Sequence, residues 1–268
     1  MAVRSRWLWL CFLCAGWLSR PAFAQDPAAQ ARQLWVLGQE AMRQGKPDDA
    51  IMYYEQSLAA DPTQKRAHLS LAAACVQRGD EAGAARHLAQ YVAAFPEHQI
   101  ARLHYAELLL RLHRPGEARA QFERFVAGVQ DVPELASKHL VRCHSQLMEI
   151  AEAEGDEYAE HLNRGIGLFL LACERAGLPE PEEGELSVES VLCKAAGELT
   201  MAHMARRDEA RPCWYLYEVW SRLDQSQPAL RHLREADATA PFSYLTPAEK
   251  RDLELARLGR DAQLRRGR

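Results

Sequence analysis

Two histidines and a cysteine lie close together in the middle of the chain and could bind a metal ion. His139 and Cys143 are four residues apart, so they share one face of a helix, and His144 follows directly. Imidazole and thiolate groups are ligands that zinc prefers. The positions expected to face them on the next helix hold Gly167 and Leu171, which cannot coordinate a metal. The sequence therefore favours three partly buried helix residues and predicts neither a metal site nor a cofactor.

Thiol chemistry is the second option that the residue types allow. Five cysteines follow residue 24, and an odd number leaves at least one unpaired or paired between chains. Two of them, Cys173 and Cys193, flank an acidic loop at 177–186. Counted from the loop, they differ by about three residues, or roughly 5 Å along two antiparallel helices. A disulfide between them is therefore a candidate, and two unpaired core cysteines are the alternative.

The motifs of common enzyme classes are absent from the sequence. It contains no G-x-S-x-G, no glycine-rich phosphate-binding loop and no H-E-x-x-H. The carboxylates of the acidic loop have no regular element around them that could hold a catalytic pair rigidly. We therefore expect no catalytic residues and predict that the protein is not an enzyme.

The charge of the chain argues against nucleic acid as a partner. The chain has 33 basic and 37 acidic residues, a formal net charge of −4. Three of the arginines and none of the acids lie in residues 1–24, so the remainder carries −7. A mildly acidic protein is a poor candidate for binding nucleic acid or anionic membranes. After residue 24, the longest apolar run is 166–173. A helix that spans a membrane needs about 20 residues, so this run is far too short.

Residues 1–24 have the layout of a secretory signal peptide. Arg4 and Arg6 precede an apolar run at 7–18, and Ala22-Phe23-Ala24 provides the small residues of a cleavage site. The apolar run is too short to span a bilayer, so we expect cleavage before Gln25, with an uncleaved anchor as the alternative. The sequence thus predicts an exported protein in the bacterial periplasm, or alternatively a secreted one.

The elements that must position any site follow a fixed period. Gly45, Ala50 and Pro62 recur 34 positions later as Gly79, Ala84 and Pro96, with helix-like runs between them. A third, less regular copy includes Ala118 and Phe122. A period of this size is typical of stacked helical hairpins, each of which must bury its apolar face against a neighbour.

These residues resemble the tetratricopeptide repeat, a 34-residue helix-turn-helix unit. Its signature positions correspond to Leu37, Gly38, Gly45, Ala50, Tyr54 and Pro62 in the first unit; to Leu71, Ala72, Gly79, Ala84, Leu88 and Pro96 in the second; and to Tyr105, Ala106, His113, Ala118, Phe122 and Gln130 in the third. The third unit lacks the turn glycine and the closing proline. The resemblance implies that small residues such as Gly38 allow two helices to approach closely, and that Tyr54 and Phe122 fill the gap to the next hairpin.

The resemblance also implies the overall organisation. We expect an all-α, right-handed superhelical array of antiparallel helix pairs with about 12 helices. A short lead-in at 25–30 is followed by three repeat units at 31–133, longer degenerate hairpins at 134–208 and a degenerate repeat-like unit at 209–245. A capping helix and a basic tail occupy 246–268, starting with a capping box from Thr246 to Glu249.

In this family, the first helices of the units line the inner surface, where partners bind. The resemblance places nine residues there, which form a mostly apolar stripe: Trp35, Gln39, Met42, Leu69, Ala73, Val76, Leu103, Glu107 and Leu110. Such a stripe suits an amphipathic helix or an extended peptide with apolar side chains. The alternative is that the helices of 134–208 cover it. The basic clamp that the family uses for a C-terminal carboxylate is absent, because its places hold Trp35, Gln39, Arg66, Ser70, Ile100 and His104.

Three functions therefore stay open from the sequence. The first is a non-enzymatic, exported scaffold that binds a protein or peptide partner in envelope assembly. The second is a redox- or metal-responsive module that uses Cys and His residues. The third is a noncovalent enzyme subunit or a small-ligand sensor, with a pocket under the aromatic cluster of Trp214, Tyr215, Tyr217 and Trp220. Residues at this spacing more commonly belong to a core.

Overall fold

The computed structural model describes the backbone of residues 26–129, 133–176 and 186–266, and the side chains of 26–129, 139–176 and 186–259. The predicted signal peptide and nearly all of the predicted acidic loop lie outside these ranges. Within them, every helix is too short or too polar to cross a bilayer.

Over the described residues the chain is all-α, as predicted, with 12 α-helices and one short 3-10 turn at Ala240–Phe242. The helices, numbered in chain order, are α1 (Pro27–Arg43), α2 (Pro47–Ala60), α3 (Lys65–Arg78), α4 (Glu81–Ala94), α5 (Gln99–Arg111), α6 (Pro115–Val129), α7 (Pro133–Glu154), α8 (Glu157–Arg175), α9 (Val188–Ala205), α10 (Ala210–Arg222), α11 (Ser226–Thr239) and α12 (Pro247–Arg266). The chain divides between Asp80 and Glu81 into two compact units, which differ from the repeat units of the sequence.

Local capping chemistry decides where several helices begin. Helix α1 starts at Pro27, inside the segment 25–30 that we expected to precede it. The Asp26 carboxylate accepts a hydrogen bond from the Ala28 N–H (3.1 Å), and proline suits the first helical position, where its missing N–H has no cost. Helix α12 starts with the predicted capping box: the Thr246 hydroxyl accepts from the Glu249 N–H (3.2 Å), and the Glu249 carboxylate accepts from the Thr246 N–H (2.8 Å).

The turns between paired helices require one residue in the left-handed region. Gly45, Gly79 and Gly155 provide it, with φ values of +70°, +83° and +70°. At the corresponding place of the third repeat, His113 adopts φ +56° although it is not a glycine. Asp224 does the same (φ +55°) between α10 and α11. The hairpin geometry is therefore kept where the glycine signal is missing, at a steric cost that glycine does not have.

In the first compact unit, α1 and α2 pack closely because Gly38 has no side chain. A Cβ atom at Gly38 would lie 2.3 Å from the Tyr54 ring, which is fully buried. The Tyr54 ring thus fills space within its own hairpin, and its hydroxyl also interacts with Ser70 on α3, the first helix of the next one. At the other end of the pair, the buried Ser57 hydroxyl donates to the Ala31 carbonyl (2.7 Å).

In the second compact unit, small residues likewise allow neighbouring helices to pack closely, both in the third repeat and in the later helices. Ala106, Ala118 and Phe122 are fully buried between α5 and α6. Between α8 and α9, a Cβ atom at Gly165 would lie 2.7 Å from the Leu199 side chain. Helices α8 to α12 share one apolar core, in which α12 is anchored through its first turns.

Candidate functional site

The predicted partner stripe of the first unit centres on Trp35 of α1. Its indole N–H donates to the Ser70 hydroxyl on α3 (3.1 Å), and the Arg66 guanidinium lies 5.7 Å from the centre of the ring. Next to it, the Gln39 amide donates to the Tyr54 and Ser70 hydroxyls (3.0 and 3.1 Å). These bonds hold the half-buried indole in place, so that its exposed part is a preordered aromatic surface.

The rest of this stripe is open to solvent to different degrees. Ala73 and Val76 on α3 are exposed, Val76 to 43%, while Met42 and Leu69 are half-buried. We call these four residues, with Trp35 and Gln39, the α1/α3 face. Its exposed part is small and apolar, as a peptide-binding surface requires.

A cleft of about 430 Å³ adjoins Trp35 at one end of this face. Arg32, Lys65 and Arg66 line it together with one acid, Asp61. Its apolar wall comes from Trp35, Ala28 and Val36, the last of which is 53% exposed. The cleft thus combines an apolar floor with a surplus of positive charge.

The predicted stripe residues of the second compact unit, which come from the third repeat, have different surroundings. Leu103 is only 2% exposed and belongs to the core, because α5 is apolar around most of its circumference. Glu107 is ion-paired with Arg142 of α7 (3.0 Å), and Leu110 is half-buried. Helix α7 therefore reaches this side of α5, which fits the alternative that the later helices cover part of the stripe.

The residues first considered for metal binding are separate core side chains. Cys143 is fully buried, and burial raises the pKa of its thiol to about 12. His144 is 1% exposed and its Nδ1 bonds to Asn163 Oδ1 (2.8 Å); burial lowers the pKa of this histidine to about 4. His139 instead meets Phe125 edge-on, with ring centres 6.2 Å apart.

The two cysteines of the candidate disulfide lie on the adjacent helices α8 and α9. Cys173 is half-buried and Cys193 is exposed, and both are present as thiols. The structure therefore does not contain the bond, and the pairing stays a prediction that thiol counting can test.

A cavity of about 610 Å³ among the later helices was not predicted. Arginines and acids line it, including Arg119, Arg206, Arg211, Glu123 and Asp156. Arg211 also has a buried Nη2 atom without a hydrogen bond. No sequence signal links these residues, since they come from α6, α10, the residue before α8 and the residue after α9.

Behind this cavity, Arg211 takes part in a buried ionic cluster. Its Nε donates to Glu249 Oε1 (2.9 Å), and the Tyr215 hydroxyl donates to the same oxygen (2.9 Å). Burial opposes ionisation of Glu249, but Arg211 and the Thr246 N–H hold the pKa of this carboxyl below its usual value. The capping box predicted the helix-start role of Glu249 and could not reveal its partner 38 residues away.

The aromatic cluster on α10 is mostly core. Trp214 and Tyr215 are 5% and 6% exposed, and Tyr217 and Trp220 pack against the same core from its edge. A shallower cleft of about 440 Å³ touches Trp214 and Tyr215, while the polar cavity lies beside Arg211.

Comparisons with known proteins agree with the repeat pattern. Two family models of the tetratricopeptide repeat match the chain, one over residues 36–98 and the other over residues 76–139. A comparison with curated proteins found no match.

Three solved structures illustrate the similarity in fold. The first tetratricopeptide repeat domain of Spaghetti, bound to an HSP90 peptide, is 23% identical over 48% of this chain and 98% of its own, with a TM-score of 0.38. MamA of Desulfovibrio magneticus is 15% identical over 79% and 96%, with a TM-score of 0.36. PilF of Pseudomonas aeruginosa is 14% identical over 86% and 99%, with a TM-score of 0.39. None of these scores is high enough to transfer a function.

Proposed function

We propose, from the premise that the chain belongs to the tetratricopeptide repeat family over residues 36–139, that it is a non-enzymatic scaffold that binds a protein partner. Members of this family generally act as interaction scaffolds. The observation that carries the proposal is the α1/α3 face, where Trp35 is half-buried, fixed by Ser70 and adjacent to exposed Val76. Aromatic residues held in this way are common anchors of protein interfaces.

The partner segment is a short peptide with an apolar anchor and acidic neighbours. The apolar anchor matches the cleft wall formed by Trp35 and Val36. The acidic neighbours match Arg32 and Arg66, which outweigh Asp61 at the same cleft. Complementary charge of this kind selects partners and speeds association more than it adds affinity.

Selection from a displayed random peptide library, with residues 25–268 as the target, tests this proposal. We expect enriched peptides to combine large apolar residues with Asp or Glu. Replacing Trp35→Asp should weaken a selected peptide about 30-fold or more, because loss of an interface anchor costs about 2 kcal/mol. Val76→Asp, at an exposed position of the same face, should weaken it as well.

Met52→Asp is the matched control, since Met52 is 43% exposed on α2, outside the α1/α3 face. Affinities follow from the fluorescence anisotropy of labelled peptides, and circular dichroism shows whether each variant stays folded. The proposal fails if Met52→Asp weakens the peptides as much as Val76→Asp does, or if folded Trp35→Asp and Val76→Asp bind normally.

The proposed place of action is the bacterial periplasm, in the assembly of the cell envelope. The arginines, apolar run and small residues of 1–24 support this localisation. N-terminal sequencing of the protein from the periplasmic fraction should begin at Gln25. Recovery of a chain that still starts at Met1 from the cytoplasm would contradict export.

A second candidate function is recognition of a small anion in the polar cavity. The lining of the cavity favours it, because four arginines outnumber three acids there and guanidinium groups recognise anions: Arg119, Arg124, Arg206 and Arg211 against Glu123, Asp156 and Glu209. Inorganic phosphate and succinate, tested separately, should raise the melting temperature of the protein at millimolar concentrations. The increase should be smaller for Arg119→Gln, and no increase with either anion in the wild type would reject the candidate.

A further inference from the structure

Three consecutive helices of the second unit bring a histidine, a cysteine and a glutamate together. His203 lies in the last turn of α9, Cys213 in the first turns of α10, and Glu235 on α11. Cys213 and Glu235 are each nine residues from the turn that joins α10 and α11, so antiparallel packing brings them level. His203 and Cys213 are close to the preceding turn and meet in the same way.

Short contacts connect the three side chains through the two ring nitrogens of His203. Cys213 Sγ lies 3.3 Å from His203 Nδ1, and His203 Nε2 lies 3.2 Å from Glu235 Oε1. One ligand atom of each residue lies within 4.8 Å of the others. The ligand atoms of a tetrahedral zinc ion, at bond lengths of about 2.0–2.3 Å, are about 3.3–3.8 Å apart. An imidazole offers a single ion only one nitrogen, so binding must draw Cys213 Sγ and a Glu235 oxygen, which start within 4.8 Å of that nitrogen, towards the same ion.

A fourth ligand is available one turn before Glu235. His232 Nδ1 is buried without a hydrogen bond, and the nearest carboxylate oxygen, Glu235 Oε2, lies 3.5 Å away. This nitrogen thus has only a long contact with the Glu235 carboxylate, whereas buried polar groups in native cores usually have a close partner. Movement towards a shared ion would satisfy it.

Burial differs across the cluster in a way that suits an ion entering from solvent. Cys213 is fully buried, the His203 and His232 side chains are 15% and 16% exposed, and that of Glu235 is 40% exposed. Burial, with Glu235 nearby, raises the pKa of the Cys213 thiol to about 12, so the thiol carries its proton when no ion is bound.

We propose that His203, Cys213 and Glu235 bind one divalent transition-metal ion of the zinc class, with His232 as the candidate fourth ligand. The ion forms a bond to Cys213 Sγ as the thiol proton leaves to solvent, and no change of oxidation state is involved. Mixed thiolate, imidazole and carboxylate ligands favour zinc over magnesium or calcium, which prefer oxygen. The bound ion would cross-link α9, α10 and α11. This site is independent of the α1/α3 face.

Titration of the metal-free protein with Co²⁺ tests the proposal, because cobalt replaces zinc and reports thiolate coordination by a charge-transfer band. The exposed Cys193 is first replaced by serine, so that it cannot bind cobalt itself. We expect one Co²⁺ per chain, a thiolate band and displacement of the cobalt by Zn²⁺. Cys213→Ala should abolish the band.

If Cys213→Ala does not fold, substitutions of two partly exposed ligands test the site instead. His203→Gln and Glu235→Gln should each weaken Zn²⁺ binding about 100-fold in competition with a chromophoric chelator, at the upper end of the loss caused by second-shell changes. His161→Gln is the matched control, because His161 pairs with Glu198 (2.7 Å) at similar burial and belongs to no such group of ligands. Its affinity should stay at the wild-type level.

Several results would overturn the site. These are the absence of a thiolate band in the folded protein, a band that persists in folded Cys213→Ala, and Zn²⁺ affinity that is unchanged in both His203→Gln and Glu235→Gln. Unchanged affinity in His232→Gln would remove that residue from the set of ligands.

Discussion

The first unit and the helices from α7 onwards pack by different means. In the first unit, the buried polar residue is uncharged Ser57, and close packing depends on the fit of Gly38 against Tyr54. From α7 onwards, His144 and Glu249 are buried, and Arg211 is nearly so. Where the repeat period is strict, shape and hydrogen bonds between uncharged groups define the packing; where it is lost, buried charges define it as well.

The largest effect is expected from removing one charge of the buried pair. Arg211→Met leaves Glu249, which is 3% exposed, without its counter-charge, and should lower the free energy of unfolding by about 3–5 kcal/mol. Urea unfolding followed by circular dichroism measures this loss.

Two further variants test the explanation for Arg211. The double change Arg211→Met/Glu249→Leu should recover much of the stability, because no unpaired charge remains. Arg43→Met removes an exposed ion pair with Glu40 (3.2 Å) and should change stability by about 1 kcal/mol or less. A similar loss in Arg43→Met and Arg211→Met would contradict the difference between the two regions.

Steric fit in the first unit is tested by Gly38→Ala. The new methyl group would lie 2.3 Å from the buried Tyr54 ring, which cannot withdraw, so we expect a loss of about 1–3 kcal/mol on thermal or urea unfolding. Gly197→Ala on α9 is the control. It meets nothing within 4 Å and should gain about 0.5–1 kcal/mol from helix propensity. Equal effects of the two substitutions would show that the contact is unimportant.

The pH dependence of stability should come from the later helices. Burial and the nearby Arg211 lower the pKa of His144 from 6.5 to about 4 in the folded protein. The unfolded chain binds the proton first, so the stabilisation is complete above pH 6.5 and declines as the pH falls towards 4. The contribution of this group should fall by about 2 kcal/mol between pH 7 and pH 5. His144→Gln cannot titrate, so unfolding at both pH values should show a correspondingly smaller loss; an equal loss would exclude His144.

The smallest effect on stability is expected at the turn of the third repeat. His113 has φ +56°, a conformation that costs a non-glycine residue about 1–2 kcal/mol. His113→Gly relieves this strain but makes the unfolded chain more flexible, so the net gain should be about 1 kcal/mol or less, seen as a small rise in melting temperature. Gly79→Ala at φ +83° should have the opposite sign. A lower melting temperature for His113→Gly would mean that the imidazole contributes more than its strain costs.

Much of the fold was predictable because its signals are local. The period of 34 residues, the turn glycines and the capping box from Thr246 to Glu249 depend on neighbours within a few positions, and they predicted an all-α chain of about 12 helices. The start of α1 was missed by four residues because Asp26 and Pro27 were counted as lead-in.

The sites were less predictable because they combine distant segments. His139 and Cys143 share a helix face and drew attention by their spacing, yet α7 directs them into separate core contacts. His203, Cys213 and Glu235 have no characteristic spacing in the sequence. Once the helix ends are known, their similar distances from the two turns predict that they meet.

The sequence by itself determined the helical hairpins, since propensity, capping and turn geometry act over a few residues. Only the tertiary structure decided that Leu103 is core while Val76 is exposed, and that Arg211 pairs with Glu249. The physical reason is that burial and charge pairing depend on which helix faces which. That choice is made by the shape of whole helix surfaces, and no short stretch of sequence contains it.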